Sequence, residues 1–365
     1  MKRNKSILWC ARFDPDYGRN RVIRAALVSL GWKLIDFRPF FSSVGHWQAI
    51  LGRNLKRWNE VSAVWVPCFR HRDFASAHEI AGHLKVPLIF DPLISAYDKQ
   101  VFERRKFSAD SPQAKRLLAW ESSLFRSGQV LVADTKAHAE FFIEQFGVSP
   151  GKVHVIPVGA DKSLFTEQPW AVPLTPKPLQ VLFYGSFLGL QGPEVIVEAA
   201  SLTPETHWVM LGDGPLKETC KNRGRALSNL QFVSPVPFDE LPSSIAQADV
   251  VLGVFGSSDK ASRVIPNKVH QGMACGRSIV TRKSEAYPKK LLEEHSKSSG
   301  VFWTSHGNPS ELAEIVRSLH HEANDRKVLQ ILGAAARVSH EKWFGHSKIE
   351  DATRLALSAA GLNWQ

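Results

Sequence analysis

Gln168-Pro169-Trp170-Ala171-Val172-Pro173-Leu174-Thr175-Pro176-Lys177-Pro178 is the stretch on which the fold turns. Its four prolines lack the amide hydrogens a strand ladder uses and cannot sit inside a helix. The pattern predicts a linker over 169–178, a first domain over 1–168 and a second over 179–345. The last segment, 346–365, is expected to form an amphipathic helix that packs back on the first domain.

Outward from the linker, short apolar runs alternate with helical spacing on both sides. Strands are expected at Ser6–Cys10, Lys33–Phe37, Ala63–Val66, Val86–Phe90, Gln129–Ala133 and Val153–Pro157 in the first half. In the second half they are expected at Gln180–Tyr184, His207–Leu211, Gln231–Ser234, Val250–Val254, Ser278–Thr281 and Gly300–Trp303. Runs rich in Val, Leu and Ile between helices mean parallel sheets covered on both faces. Two such units of similar size imply two doubly wound, Rossmann-like α/β domains facing across a cleft. Ligands of open parallel sheets bind outside the carboxyl ends of the strands, so function is sought in those loops.

Composition narrows the class. The chain has 365 residues, 44% hydrophobic and 22% charged, which excludes a wholly disordered or fibrous protein. No run of about 18 apolar residues suggests a membrane span. Cys10, Cys68, Cys220 and Cys275 are scattered, so neither a disulfide framework nor a zinc site is indicated, and a reducing cytoplasm is expected. The net charge of +11 is lopsided. Residues 1–178 carry 26 Lys and Arg against 16 Asp and Glu, whereas 179–365 carry 20 against 19. An anionic partner of the first half is implied: a membrane surface, an acidic polymer or a nucleic acid. A merely soluble basic surface stands beside it. Nucleic acid is set aside, because no basic stripe interleaved with aromatics appears.

Three loops of the second half hold candidate chemistry. Tyr184-Gly-Ser-Phe-Leu-Gly-Leu-Gln-Gly-Pro-Glu194 joins a strand to a helix, with Gly185 and Ser186 near a helix start that attracts anions. It is not the dinucleotide fingerprint, and a purely structural turn is the competing reading. In Leu211-Gly-Asp-Gly-Pro215, Gly212 fits a tight turn, while Asp213 either caps the helix or meets a ligand hydroxyl. The third runs from Ser257 to Gly276. Here a polar loop with Arg263 leads into a helix that opens at Pro266, with Asn267 and Lys268 in its first turn and Gln271 on the same face. Two cations beside a helix start suit a diphosphate, and Gln271 suits a ribose hydroxyl. Ordinary surface cations are the alternative.

Arg-Val-Ile-Pro-Asn-Lys-Val (263–269) and Gly-Met-Ala-Cys-Gly-Arg-Ser-Ile-Val (272–280) resemble the signature of retaining glycosyltransferases of family 4, the glycosyl transferase group 1 proteins of GT-B fold. Val155–Phe165, Gly212–Pro215, Asp239-Glu-Leu with Ala248-Asp249-Val, and Asn308–Leu312 follow in the family's order. The resemblance implies transfer of a sugar from a nucleotide-diphosphate donor to a glycan or lipid-linked acceptor with retention, in cell-surface polysaccharide or glycolipid synthesis. It implies neither a bound cofactor nor a metal. Two departures stand out. The family commonly carries two glutamates where Arg263 and Gln271 stand, and an Arg and a Lys where Ser186 and Gln191 stand. The cations for the diphosphate have then moved to Arg263 and Lys268, and a subgroup with an Ile-Pro-Asn-Lys core is similar in this. A protein that binds sugar nucleotides without turnover is the alternative that the missing glutamates favour.

The first domain is expected to hold the acceptor. Gly18 and Arg19, in a loop after the first strand, are acceptor-side candidates with Tyr97 and Asp98. Asp91 stands where related enzymes often carry a histidine, and is expected either to orient donor sugar or acceptor hydroxyl or to cap a helix turn. The basic runs Arg104-Arg105-Lys106 and Lys115-Arg116 either greet a phosphorylated or membrane-borne acceptor or line a solvated helix face. Peripheral attachment to an anionic membrane is the sharper expectation for this half.

Overall fold

A computed structural model describes residues 5–52, 54–58, 60–170, 178–322 and 326–362. The chain divides into two compact units, Met1–Val158 with His346–Gln365, and Gly159–Gly345.

The first unit holds a six-stranded sheet: β1 (Ser6–Cys10), β2 (Lys33–Phe37), β3 (Ala63–Val66), β4 (Leu88–Phe90), β5 (Val130–Ala133) and β6 (Val153–Val155). The strand order is β2-β1-β3-β4-β5-β6, with every pairing parallel. Both faces are apolar because both are covered by helices. Leu8, Val64, Leu88 and Leu131 face one core, while Ile7, Trp9, Trp65 and Val130 face the other. Trp9 and Trp65, paired across β1 and β3, stack with ring centroids 5.4 Å apart. The helix His346–Ala359 closes this second face with Ile349, Ala356 and Leu357 and packs against the helix Gly18–Ser29.

The second unit repeats the plan with β7 (Gln180–Gly185), β8 (His207–Gly212), β9 (Leu230–Val233), β10 (Val250–Leu252), β11 (Ser278–Arg282) and β12 (Val301–Thr304). Its order is β12-β11-β10-β7-β8-β9, again all parallel. Each expected strand is present, with ends displaced by at most two residues. The doubly wound α/β class therefore holds for both units.

The units divide between Val158 and Gly159, ahead of the proline-rich stretch. The physical reason is packing: Phe165 lies in the second unit's core and half-buried Leu164 packs against it. Arg277 then draws the chain after them inward. Its wholly buried guanidinium donates to the carbonyls of Gln168 and Pro169, and to those of Ala246 and Ala248, and lies 4.2 Å over the Trp170 ring. Of the linker expected over 169–178, residues 171–177 lie outside the described residues.

Both sheets place their topological switch where the chain reverses its winding direction, between β1 and β3 in one and between β7 and β10 in the other. The crevices outside the carboxyl ends of those strands are the binding positions such sheets offer.

Candidate active site

In the second unit the loops after β7, β8 and β10 converge. The loop after β8 presses on that after β7 so closely that a Cβ at Gly212 would lie 2.0 Å from the Gly185 carbonyl oxygen, and one at Gly214 1.7 Å from that of Ser186. Both glycines also hold positive φ, 130° and 151°. Only glycine lets backbone meet backbone here. The β10 loop joins through Phe255, whose amide donates to the Gln191 carbonyl at 3.1 Å.

Lys268 reaches into this convergence from the helix Asn267–Ala274. Its Nζ donates to Gln191 Oε1 at 3.4 Å and lies 3.8 Å from the centroid of the Phe183 ring. The Gly185 backbone is alongside, since a Cβ there would meet Nζ at 3.0 Å. The side chain is only 4% exposed, and among the described residues no carboxylate pairs with it. Desolvation holds its ammonium well below the ordinary lysine range. Such a cation, kept by one amide oxygen and an aromatic face, is incompletely compensated. An anion arriving at the switch point would complete it.

Other second-unit candidates are placed as follows. Residues 259–263 form a short helix rather than part of a polar loop, because Ser258 caps the Ala261 amide; Arg263 ends it, half-buried. Pro266 is the N-cap and not the first helical residue, so Asn267 opens the following helix, half-buried. Gln271 is buried, and its Oε1 accepts from Tyr184 Oη at 2.8 Å, which leaves its amide group as the part available to a ligand. Ser186 and Asp213 are exposed. Asp213 accepts from the Gly214 amide at 2.8 Å and does not cap the following helix, whose N-cap is Leu216. Lys217, which carried no functional signal in the sequence, donates its Nζ to the Gly212 carbonyl at 2.6 Å and so fastens the β8 end.

In the first unit, sequence and structure diverge more. Gly18 and Arg19 begin the helix Gly18–Ser29 rather than a loop. Arg19 is wholly buried: Nε donates to Asp91 Oδ2 at 2.9 Å, Nη2 to Oδ1 at 3.4 Å, and Nη1 to the carbonyls of Ile156 and Pro157. Four protein oxygens thus use the donors of this expected acceptor-side residue. Asp91 has both oxygens on Arg19, and burial raises its carboxyl above the ordinary range although the guanidinium beside it pulls the other way. The structure thus places Asp91, expected in the catalytic set, in a buried ion pair with Arg19. Tyr97 packs its ring against Phe102 and Phe146 in the core, and Asp98 is fully buried with its amide on Ser95 Oγ at 2.9 Å; neither lines a surface.

Glu121 explains that local order. Fully buried, it accepts from Ser95 Oγ and from the Ala96 and Tyr97 amides at 2.6–2.8 Å, and its Oε1 lies 2.9 Å from His71 Nε2. At its switch point the first unit presents the exposed Phe69, with half-buried Tyr17 edge-on to it at 4.9 Å. Phe69 and Leu93, after β3 and β4, both hold positive φ without being glycine, and Phe69 donates its amide to the Pro92 carbonyl. Backbone held this way marks loops fixed by their surroundings.

Residues 178–322 match the family described as Glycosyl transferases group 1. The chain is 24% identical over 255 residues to a D-inositol 3-phosphate glycosyltransferase of Paenarthrobacter aurescens, spanning 65% of this chain and 59% of that protein. It is 25% identical over 189 residues to the sulfoquinovosyl transferase SQD2 of Arabidopsis thaliana, spanning 52% and 35%. The matches thus span about three-fifths or less of these relatives' own length. Among solved structures, Anabaena HepE in complex with UDP-glucose aligns with a TM-score of 0.67 at 15% identity, over 97% of this chain and 99% of that one. The sucrose-phosphate synthase of Thermosynechococcus elongatus aligns at 0.69 and 14%, over 95% and 96%. At such identities the likeness concerns the fold, which is GT-B.

Proposed function

We propose that the chain, which carries a glycosyl transferases group 1 domain in its second unit, is a glycosyltransferase using a nucleotide-diphosphate sugar. The acceptor is a hydroxyl of a glycan or lipid-linked glycan, in cell-surface polysaccharide or glycolipid synthesis, and the anomeric configuration is retained. The observation that carries this is Lys268: a desolvated ammonium, without a carboxylate, at the switch point beside the glycine-rich loop.

In this reading the donor diphosphate lies against the loop Gly185–Gln191, with Lys268 and Arg263 as its cations and Asn267 at the helix start beside them. The Gln271 amide and Asp213 meet the nucleoside or sugar hydroxyls. Catalysis is positioning plus stabilisation of negative charge that grows on the leaving diphosphate. The bond between the anomeric carbon and the phosphate oxygen breaks as the acceptor oxygen forms its bond on the same face. The acceptor's hydroxyl proton passes to the departing phosphate oxygen. No metal is assigned a role, because Lys268 and Arg263 supply the positive charge.

Arg263 and Gln271, standing where the family commonly has glutamates, favour one other reading: a sugar-nucleotide-binding protein without turnover. A thermal-shift panel of UDP-, GDP-, ADP- and TDP-sugars, followed by assay of nucleoside diphosphate release with glycan acceptors, separates them. A raised melting temperature with release supports the transferase, since a ligand of the native state stabilises it. A raised melting temperature without release supports the binding protein. No shift with any donor overturns both.

A further inference from the structure

Five large apolar side chains stand out of one short segment of the first unit. Phe40 is 77% exposed, Phe41 69%, Val44 45%, Trp47 57% and Leu51 81%. They make up five of the twelve large hydrophobics exposed among the described residues, so the cluster is a concentration and not a scatter.

The segment is held rigidly. Its helix, Gly45–Leu51, turns Gly45 and Ala49 toward the helix Phe74–Leu84, and Gly45 sits so tightly that a Cβ would lie 2.7 Å from Pro39 and 2.9 Å from Ser76. Val44, Trp47 and Leu51, at helical spacing, share the opposite side. The Phe40 amide donates to Gln48 Oε1 at 2.8 Å, which fastens the two phenylalanines to the helix. The apolar outline is therefore preformed.

Its charge surroundings are one-sided. From Phe37 to Asn59 the sequence has four Lys and Arg and no Asp or Glu, and Arg38, Lys56 and Arg57 are exposed. The segment follows β2, so it lies at the same end of the sheet as the loops after β1, β3 and β4. Aromatic rings and an apolar helix side settle at the boundary between headgroups and acyl chains, and flanking cations are drawn to anionic headgroups. A second copy of the chain fits less well: a two-fold contact would oppose this cationic rim to itself.

We propose that Phe40–Leu51, with Arg38, Lys56 and Arg57, docks the first unit on an anionic lipid bilayer. This does not depend on the transferase reading.

The test is flotation of the full chain with vesicles of phosphatidylcholine alone and of phosphatidylcholine mixed with phosphatidylglycerol, at low and raised salt. The chain floats with the anionic vesicles and less so as salt rises. Phe41→Ser/Trp47→Ser/Leu51→Ser lowers the bound fraction at least tenfold on anionic vesicles. Arg38→Gln/Lys56→Gln/Arg57→Gln weakens anionic binding by about a hundredfold and removes the preference over neutral vesicles. All the replaced side chains are exposed, so unchanged melting temperatures verify that both variants fold. Failure of the unmodified chain to float, or equal flotation of the serine variant, overturns the proposal. Sedimentation showing a concentration-dependent dimer that the serine variant abolishes, with no vesicle binding, overturns it in favour of self-association.

Discussion

Replacing Lys268 with methionine separates donor binding from stability, because the two should move in opposite directions. Methionine keeps most of the side chain's length and its contact with Phe183, and removes only the charge. In the free protein that charge is a burden: it is 4% exposed, with one amide oxygen as hydrogen-bond acceptor. With a diphosphate oxygen about 4 Å away, an effective dielectric constant near 20 gives an attraction of about 4 kcal/mol. Loss of a hydrogen bond to a charged group costs about 1.5–3 kcal/mol in practice. Affinity for the nucleoside diphosphate should therefore fall about tenfold to a hundredfold by isothermal titration calorimetry. The melting temperature of the free protein should hold or rise, since a buried ammonium has been removed. Unchanged diphosphate affinity in Lys268→Met would refute the donor assignment, and a large fall in melting temperature would make Lys268 a structural residue.

Three further outcomes are expected. At a pH between the free and the bound Lys268 values, diphosphate binding should take up a proton, because burial holds the free ammonium well below its ordinary range and an anion restores it. Affinity is then flat below the free-state value and falls by up to about tenfold per pH unit above it, a proton uptake that titration in buffers of different ionisation enthalpy reads directly. The same shift makes the folded state gain stability as pH rises from the folded to the unfolded lysine value. Asp91→Asn should lower stability by about 3–5 kcal/mol in urea melts, because it leaves buried Arg19 without its carboxylate, while donor affinity stays the same. Gly214→Ala should destabilise by about 3 kcal/mol and weaken donor binding with it, since the new Cβ would overlap the Ser186 carbonyl at 1.7 Å.

What was legible in the sequence follows from the range of the interactions involved. Ser6–Cys10 and Ala63–Val66 read as strands because burial on both faces leaves a continuous apolar run. The places of Gly212 at a strand end and Lys268 in a first helical turn are legible because both are local signals. Arg19 and Asp91 stand out in the sequence as separate loop residues, but their pairing across 72 residues has no local trace. Glu121 gave no signal at all: it lies in the ordinary amphipathic helix Pro112–Ser127 and acts on a turn some 25 residues earlier. The helix Gly45–Leu51 was missed for a different reason. Only Gly45 and Ala49 face inward, so it shows no apolar stripe toward a core.

The donor assignment and the proposed chemistry meet in one assay. The wild-type chain and an Arg263→Ala/Lys268→Ala variant would be compared for nucleoside diphosphate release and glycosylated product, using the sugar nucleotide that most raises the melting temperature. Wild type should yield both products in equal amounts, with the variant reduced at least a hundredfold and still folded. Full transfer activity and unchanged donor affinity in the double variant would contradict the site.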